Sequence, residues 1–134
     1  MELQPLREAL AAQPAVRLAV LFGSAAKGRQ VAGSDLDLAM RLAPDTAETR
    51  RAAALAAGRA TGREIDLVEL DGAPPLLRFQ IAHDGQVLVE QEPGSWTRFK
   101  AQAMIDWWDW APTARRIHAV YLRRLREKVA HGRA

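Results

Sequence analysis

Strands alternating with helices along one short chain predict a layered α/β (α+β) domain. Three observations carry that prediction: an apolar run at Val16–Phe22 closed by Gly23, polar–apolar alternation over 35–40 and 64–70, and apolar residues at helical spacing elsewhere. The length, 134 residues, is that of one domain. We expect a single unit over 1–134, with a core over about 14–92 and a C-terminal helical segment over about 94–131.

The elements follow in order. Leu3, Leu6 and Leu10 place a helix over 2–12, ended by Pro14. The run 16–22 reads as a buried strand. From Ser24 to Ser34 the chain is small and polar, with Gly28 and Gly33, and fits a turn or two of helix followed by a loop. Residues 35–40 form a strand with one buried face. Asp45 or Thr46 caps an alanine-rich helix running to about Ala57, with Gly58 or Gly62 near its end. Residues 64–70 give the clearest strand, Pro74-Pro75 open a helix through about Ala82, and 86–90 form a last strand.

Beyond Pro93-Gly94 the pattern is helical, with Ser95 as the expected cap. Trp96, Phe99, Ala103, Trp107 and Trp110 share one face at three- and four-residue steps. Pro112 interrupts and Thr113 restarts a final helix striped by Ile117, Val120, Tyr121, Leu125 and Val129.

Composition excludes several classes. Hydrophobic residues make up 49%, but 26 residues are alanine, which leaves enough larger side chains for one compact core. No run approaches the roughly 18 apolar residues of a membrane span. Glu2, Arg7 and Glu8 argue against a leader peptide, so the expected compartment is the cytoplasm. The absence of cysteine excludes disulfides, zinc–thiolate sites and cysteine nucleophiles. The net charge of +3 divides unevenly: 12 basic against 15 acidic residues before position 112, and seven basic against Glu127 alone after it. Such a basic end suits nucleic acid, an acidic partner or a solvated helix face.

The chemistry concentrates in Gly23-Ser24, ten residues, then Asp35-Leu36-Asp37-Leu38. Asp35 and Asp37 project from one strand face, a costly juxtaposition unless a cation lies between them. All-oxygen ligands favour magnesium or manganese. Asp66, between Ile65 and Leu67 on a later strand, is a third carboxylate of the same kind. Gly23 lets a phosphate approach the backbone, and the following N–H groups with the Ser24 hydroxyl can hold its oxygens. A short helix starting at Ser24 adds its dipole. Phosphates at one end and metals at the other is what phosphoryl or nucleotidyl transfer requires.

The stretch GSAAKGRQVAGSDLDL, residues 23–38, resembles the minimal nucleotidyltransferases of the polymerase-beta superfamily, in particular the antitoxin type paired with HEPN toxins. Gly23, Ser24, Ala26, Gly28, Ser34, Asp35, Asp37 and Leu38 match that pattern. Lys27 stands where arginine is usual, keeping the charge and losing a planar fork of donors. The likeness continues through the Asp66 strand and residues 78–99, and so covers most of the chain. It implies a small mixed β-sheet flanked by helices, the nucleotidyltransferase fold. It implies AMP transfer from ATP to a hydroxyl, that of a tyrosine, of a HEPN ribonuclease toxin, which neutralises the toxin. Asp35, Asp37 and Asp66 would bind two magnesium ions, with manganese as the alternative, and Asp66 would help activate the acceptor. Gly23, Ser24, Lys27 and Ser34 would hold the nucleotide. The partner would dock through the C-terminal helices in a hetero-oligomer. Two alternatives compete: an antitoxin that only masks its HEPN partner, and a nucleic-acid-binding regulator of its own operon.

Other candidates read more simply. His83, His118 and His131 are scattered without ligand spacing. Arg29 and Glu64 read as solvated, and Tyr121 as a helix-face residue. Three tryptophans within 107–110 cannot all face one core, so Trp108 or Trp110 is expected to cover another helix, a partner or a second subunit.

Overall fold

A computed structural model describes residues 2–28 and 34–131. Its strands are β1 (Val16–Phe22), β2 (Leu36–Leu42), β3 (Ile65–Glu69) and β4 (Gln86–Glu90). Its helices are α1 (Gln4–Ala11), α2 (Ala47–Thr61), α3 (Pro75–Asp84) and α4 (Ser95–His131). The sheet order is β3-β2-β1-β4. β1 runs antiparallel to both β2 and β4, while β2 and β3 are parallel, joined through α2. The sheet is therefore mixed, as the resemblance implies.

β1 is central, which explains its nearly unbroken apolar sequence: a strand covered on both faces has no polar side. Ala19 and Leu21 point into one core layer with Leu6 and Leu10 of α1 and Ala53 and Ala57 of α2. Leu18 and Val20 point into the other with Ile81 of α3 and Phe99 and Ala103 of α4. Alternation places Leu36, Leu38, Ile65 and Leu67 toward α1 and α2. The intervening Asp37 and Asp66 consequently lie on the α3/α4 side.

Local chemistry sets the helix ends. Thr46 and Thr49 form a reciprocal capping box at the start of α2, with N–H to hydroxyl distances of 3.1 and 3.0 Å, and Gly62 closes the helix. Asp45 instead pairs with Arg50 at 2.7 Å. At α4 the expected cap is corrected: the Trp96 N–H donates to the Glu90 carboxylate at 2.8 Å, and the buried Ser95 hydroxyl has no partner. Glu90 ends β4 six residues earlier, a pairing that hydrophobic periodicity does not encode.

The expected break at Pro112 is also corrected. α4 is one helix of 37 residues with Pro112 inside it. Proline removes one helical N–H and crowds the preceding turn, but the turns on either side keep their own hydrogen bonds. The first part of α4 packs on α3: Arg78 donates to Asp106 at 2.6 Å, and Phe79 stacks on Trp107 with centroids 5.4 Å apart. Trp107 in turn leans on Trp110 at 5.9 Å. Trp108 is 67% exposed, and Ile117, Tyr121, Leu125 and Val129 are exposed as well. The apolar stripe of the second part of α4 is thus largely exposed. No helix among them is long and apolar enough to cross a membrane.

Candidate active site

One end of the sheet collects the sequence-derived candidates. The C-terminus of β1, the N-termini of β2 and β3 and the start of β4 meet there, because Phe22 opposes Asp37, Asp37 opposes Asp66 and Leu21 opposes Gln86. Parallel register makes Asp37 and Asp66 direct neighbours on one face. Asp37 is partly buried, and burial pushes its carboxyl above the usual carboxylate range, helped by the charge of Asp66, a hydrogen bond between the two and the charge of Asp35. Two carboxylates in such contact repel one another, and a cation between them relieves that repulsion. Asp35 is exposed and precedes the strand, so it acts on Asp37 through charge. Among the described residues, no three His, Cys, Asp or Glu side chains converge into a metal-holding group.

Gly23 follows β1 with φ of +73°, a backbone conformation that favours glycine. A β-carbon there would also collide with Oδ2 of Asp37. The glycine therefore lets the Asp37 carboxylate close against the β1 turn. Ser24 comes next and is exposed. No helix starts there: Lys27 and Gly28 donate backbone N–H bonds of 3.2 Å to Ser24 and Ala25, which makes successive tight turns. The helix-dipole contribution expected at Ser24 is therefore replaced by turn geometry. Arg29 and Gly33 lie outside the described residues. Ser34 is half-buried just before Asp35.

Lys27 has a partner that the sequence did not reveal. Its Nζ lies 3.2 Å from Oδ2 of Asp84, at the end of α3. Asp84 is held below the usual carboxylate range by hydrogen bonds from His83 and then Lys27. Gly85 makes the turn into β4 where a β-carbon would lie 2.6 Å from Val20, so α3 can end close against β1. That closeness brings Asp84 within reach of the loop carrying Lys27. Residues 57 positions apart would suggest such a contact only through the fold.

The family model "Polymerase beta, Nucleotidyltransferase" matches residues 4–94. The chain belongs to this nucleotidyltransferase family. The match takes in the Gly23–Ser24 turn and Asp35, Asp37 and Asp66, and ends as α4 begins. Among solved structures, a toxin–antitoxin crystallised with AMP-PNP is 25% identical, at a TM-score of 0.73 over 90% of this chain and 99% of the other. A complex of a tri-AMPylated Shewanella oneidensis HEPN toxin with an MNT antitoxin is 22% identical, at a TM-score of 0.65 over 90% and 99%. A protein assigned to the minimal nucleotidyltransferases is 33% identical, at a TM-score of 0.53 over 64% of this chain and 95% of its own. No curated protein matches significantly. The nucleotidyltransferase fold expected from the sequence is the fold found.

Proposed function

We propose that this nucleotidyltransferase transfers AMP from ATP to a tyrosine hydroxyl of a HEPN-family ribonuclease toxin and so acts as its antitoxin. The observation that carries the reading is the Asp37–Asp66 pair, in register across parallel strands and directly beside the Gly23 turn. The likeness to a toxin–antitoxin that binds AMP-PNP supports the nucleotide and the partner. We read the chain as one domain, with its core over about 14–92, working in the cytoplasm.

The Asp37–Asp66 pair suits a hard divalent cation, because carboxylates in contact gain most from positive charge between them. Asp35, Asp37 and Asp66 would hold two magnesium ions, or manganese. When bound, these neutralise the triphosphate and ease ionisation of the acceptor. The turn at Gly23 and Ser24 presents backbone N–H groups and a hydroxyl to the phosphates. Lys27, and Ser34 beside Asp35, complete that side. The acceptor oxygen attacks the α-phosphorus, a P–O bond forms, the bond to the β-phosphate breaks and pyrophosphate leaves. Asp66 takes the hydroxyl proton.

The test is label transfer from α-labelled ATP with magnesium to the cognate HEPN-family protein. Wild type should label it, while Asp37→Asn, a near-isosteric change, should lower transfer at least about a thousandfold with the fold intact. Equal labelling by the two proteins would overturn the reading. Masking without catalysis is the second reading, favoured by the exposed stripe on α4. An Asp35→Asn/Asp37→Asn double variant that still rescues cells from the toxin would decide for masking.

A further inference from the structure

The sheet has two edges, and they are treated differently. On the β4 edge, Arg7 of α1 donates to the carbonyls of Val87 and Leu88 at 2.9 and 3.3 Å, which occupies polar groups of that strand. The other edge is β3, which pairs only with β2 among the described residues. Alongside it lies a cleft of about 520 Å³ between α2 and the start of β3. Its floor is Leu55, Gly58 and Ile65, with Leu55 51% exposed, and its walls carry Arg51, Arg59 and Arg63 against a single carboxylate, Glu64. Arg51 and Arg59 make no ion pair with any described residue. The neighbouring Arg50, by contrast, is engaged by both Asp45 and Glu69.

We propose that this cleft and the free edge of β3 dock an extended acidic segment of the acceptor protein. The proposal deepens the transferase reading and rests on it for the occupant's role. Three features select the occupant. Unpaired positive charge beside an apolar floor fits an apolar anchor flanked by Asp or Glu. The cleft has no aromatic side chain on which a nucleic-acid base could stack, which disfavours RNA. A segment added along β3 also alternates as β3 does. Ile65 faces α2 and its neighbour Asp66 lies on the opposite side, so successive residues of the added strand would enter the cleft and reach Asp66 in turn. The modified hydroxyl residue then stands directly beside the apolar anchor in the acceptor's sequence. Net acidity around such a tyrosine becomes a specificity determinant read by Arg51 and Arg59.

The probe is a fluorescein-labelled octapeptide, Glu-Asp-Glu-Leu-Tyr-Glu-Asp-Glu, titrated without nucleotide into the full chain. Wild type should bind it, more weakly as salt rises. Arg51→Glu/Arg59→Glu should lose at least about tenfold in affinity, Arg51→Gln/Arg59→Gln a smaller part, and the uncharged Leu55→Ser should lose affinity with its salt dependence unchanged. Arg123→Glu/Arg124→Glu on α4 should retain binding, which excludes general attraction to a basic protein. The inference is overturned if wild type does not bind, if the cleft variants bind as well as wild type, if the α4 variant loses binding instead, or if the cleft binds a uridine 12-mer in preference to the peptide. Because no nucleotide is present, failure of AMP transfer leaves this result standing, and failure of peptide binding leaves AMP transfer standing.

Discussion

Asp84 holds Lys27 at 3.2 Å, and the two ends of that contact have opposite interests. A triphosphate arriving at the Gly23 turn competes with Asp84 for the same ammonium group. Removing the carboxylate charge frees the lysine without altering any group that faces the phosphates. Asp84→Asn should therefore tighten ATP binding about two- to fivefold, the range of a partly exposed ion pair. Calorimetric titration checks this, and the gain should vanish in a Lys27→Ala background. A gain that persists there would assign the effect to bulk charge. Gly23 shows the converse relation, in which a side chain is excluded so that another can close. Any L-residue there meets both an unfavourable φ and the Asp37 carboxylate.

At the scale of elements, Arg41 of β2 grips Asp71 after β3 through two hydrogen bonds of 2.8 Å, fastening the parallel pair at the end away from the carboxylates. The guanidinium holds the Asp71 carboxyl below the usual range, with burial opposing it. Folded protein then binds fewer protons at this group than unfolded protein does. The pair's contribution is fully present above the unfolded value of about 3.9 and is lost as pH falls through the lower folded value. Asp71→Asn should lower the urea midpoint at pH 7 and flatten its decline below about pH 4, as followed by circular dichroism. A variant whose acid limb matches that of wild type would show that the pair contributes nothing.

The elements also show what the sequence makes legible. The strands are readable because each is a short apolar or alternating run bounded by turn formers, β3 by its strict alternation and β1 by its nearly unbroken apolar run. Asp37 and Asp66 are readable as candidates, since a carboxylate between two core-facing residues needs a reason. Their register is not, because nothing local determines which residue of a parallel neighbour lies opposite. Lys27–Asp84 and Glu90–Trp96 escape for the same reason: both depend on where chain ends meet in space. Pro112 misleads because helix propensity is a local average, and one lost hydrogen bond does not end a helix 37 residues long.

Taken whole, the molecule is a layered body and an arm. Every core residue from α4 lies at or before Ala111, and the six described basic residues beyond it, from Arg115 to Lys128, sit in a largely exposed segment. Deleting residues 112–134 should leave the melting temperature within about 2 °C of wild type and ATP affinity unchanged, while abolishing stable association with the HEPN partner. Co-purification of the truncated chain with that partner would move the interface to the body.

The arm also governs how the protein moves through water. A helix of 37 residues extends for about 55 Å, whereas a compact chain of this length has a radius of gyration of about 14 Å. Friction follows the longest dimension more than the mass. A monomer of 14.8 kDa would diffuse slowly and leave a gel-filtration column early, imitating a dimer. Sedimentation equilibrium, which is blind to shape, would return the true mass. A partner lying along the arm would add mass with little added drag, so the complex would elute closer to the free chain than its size suggests.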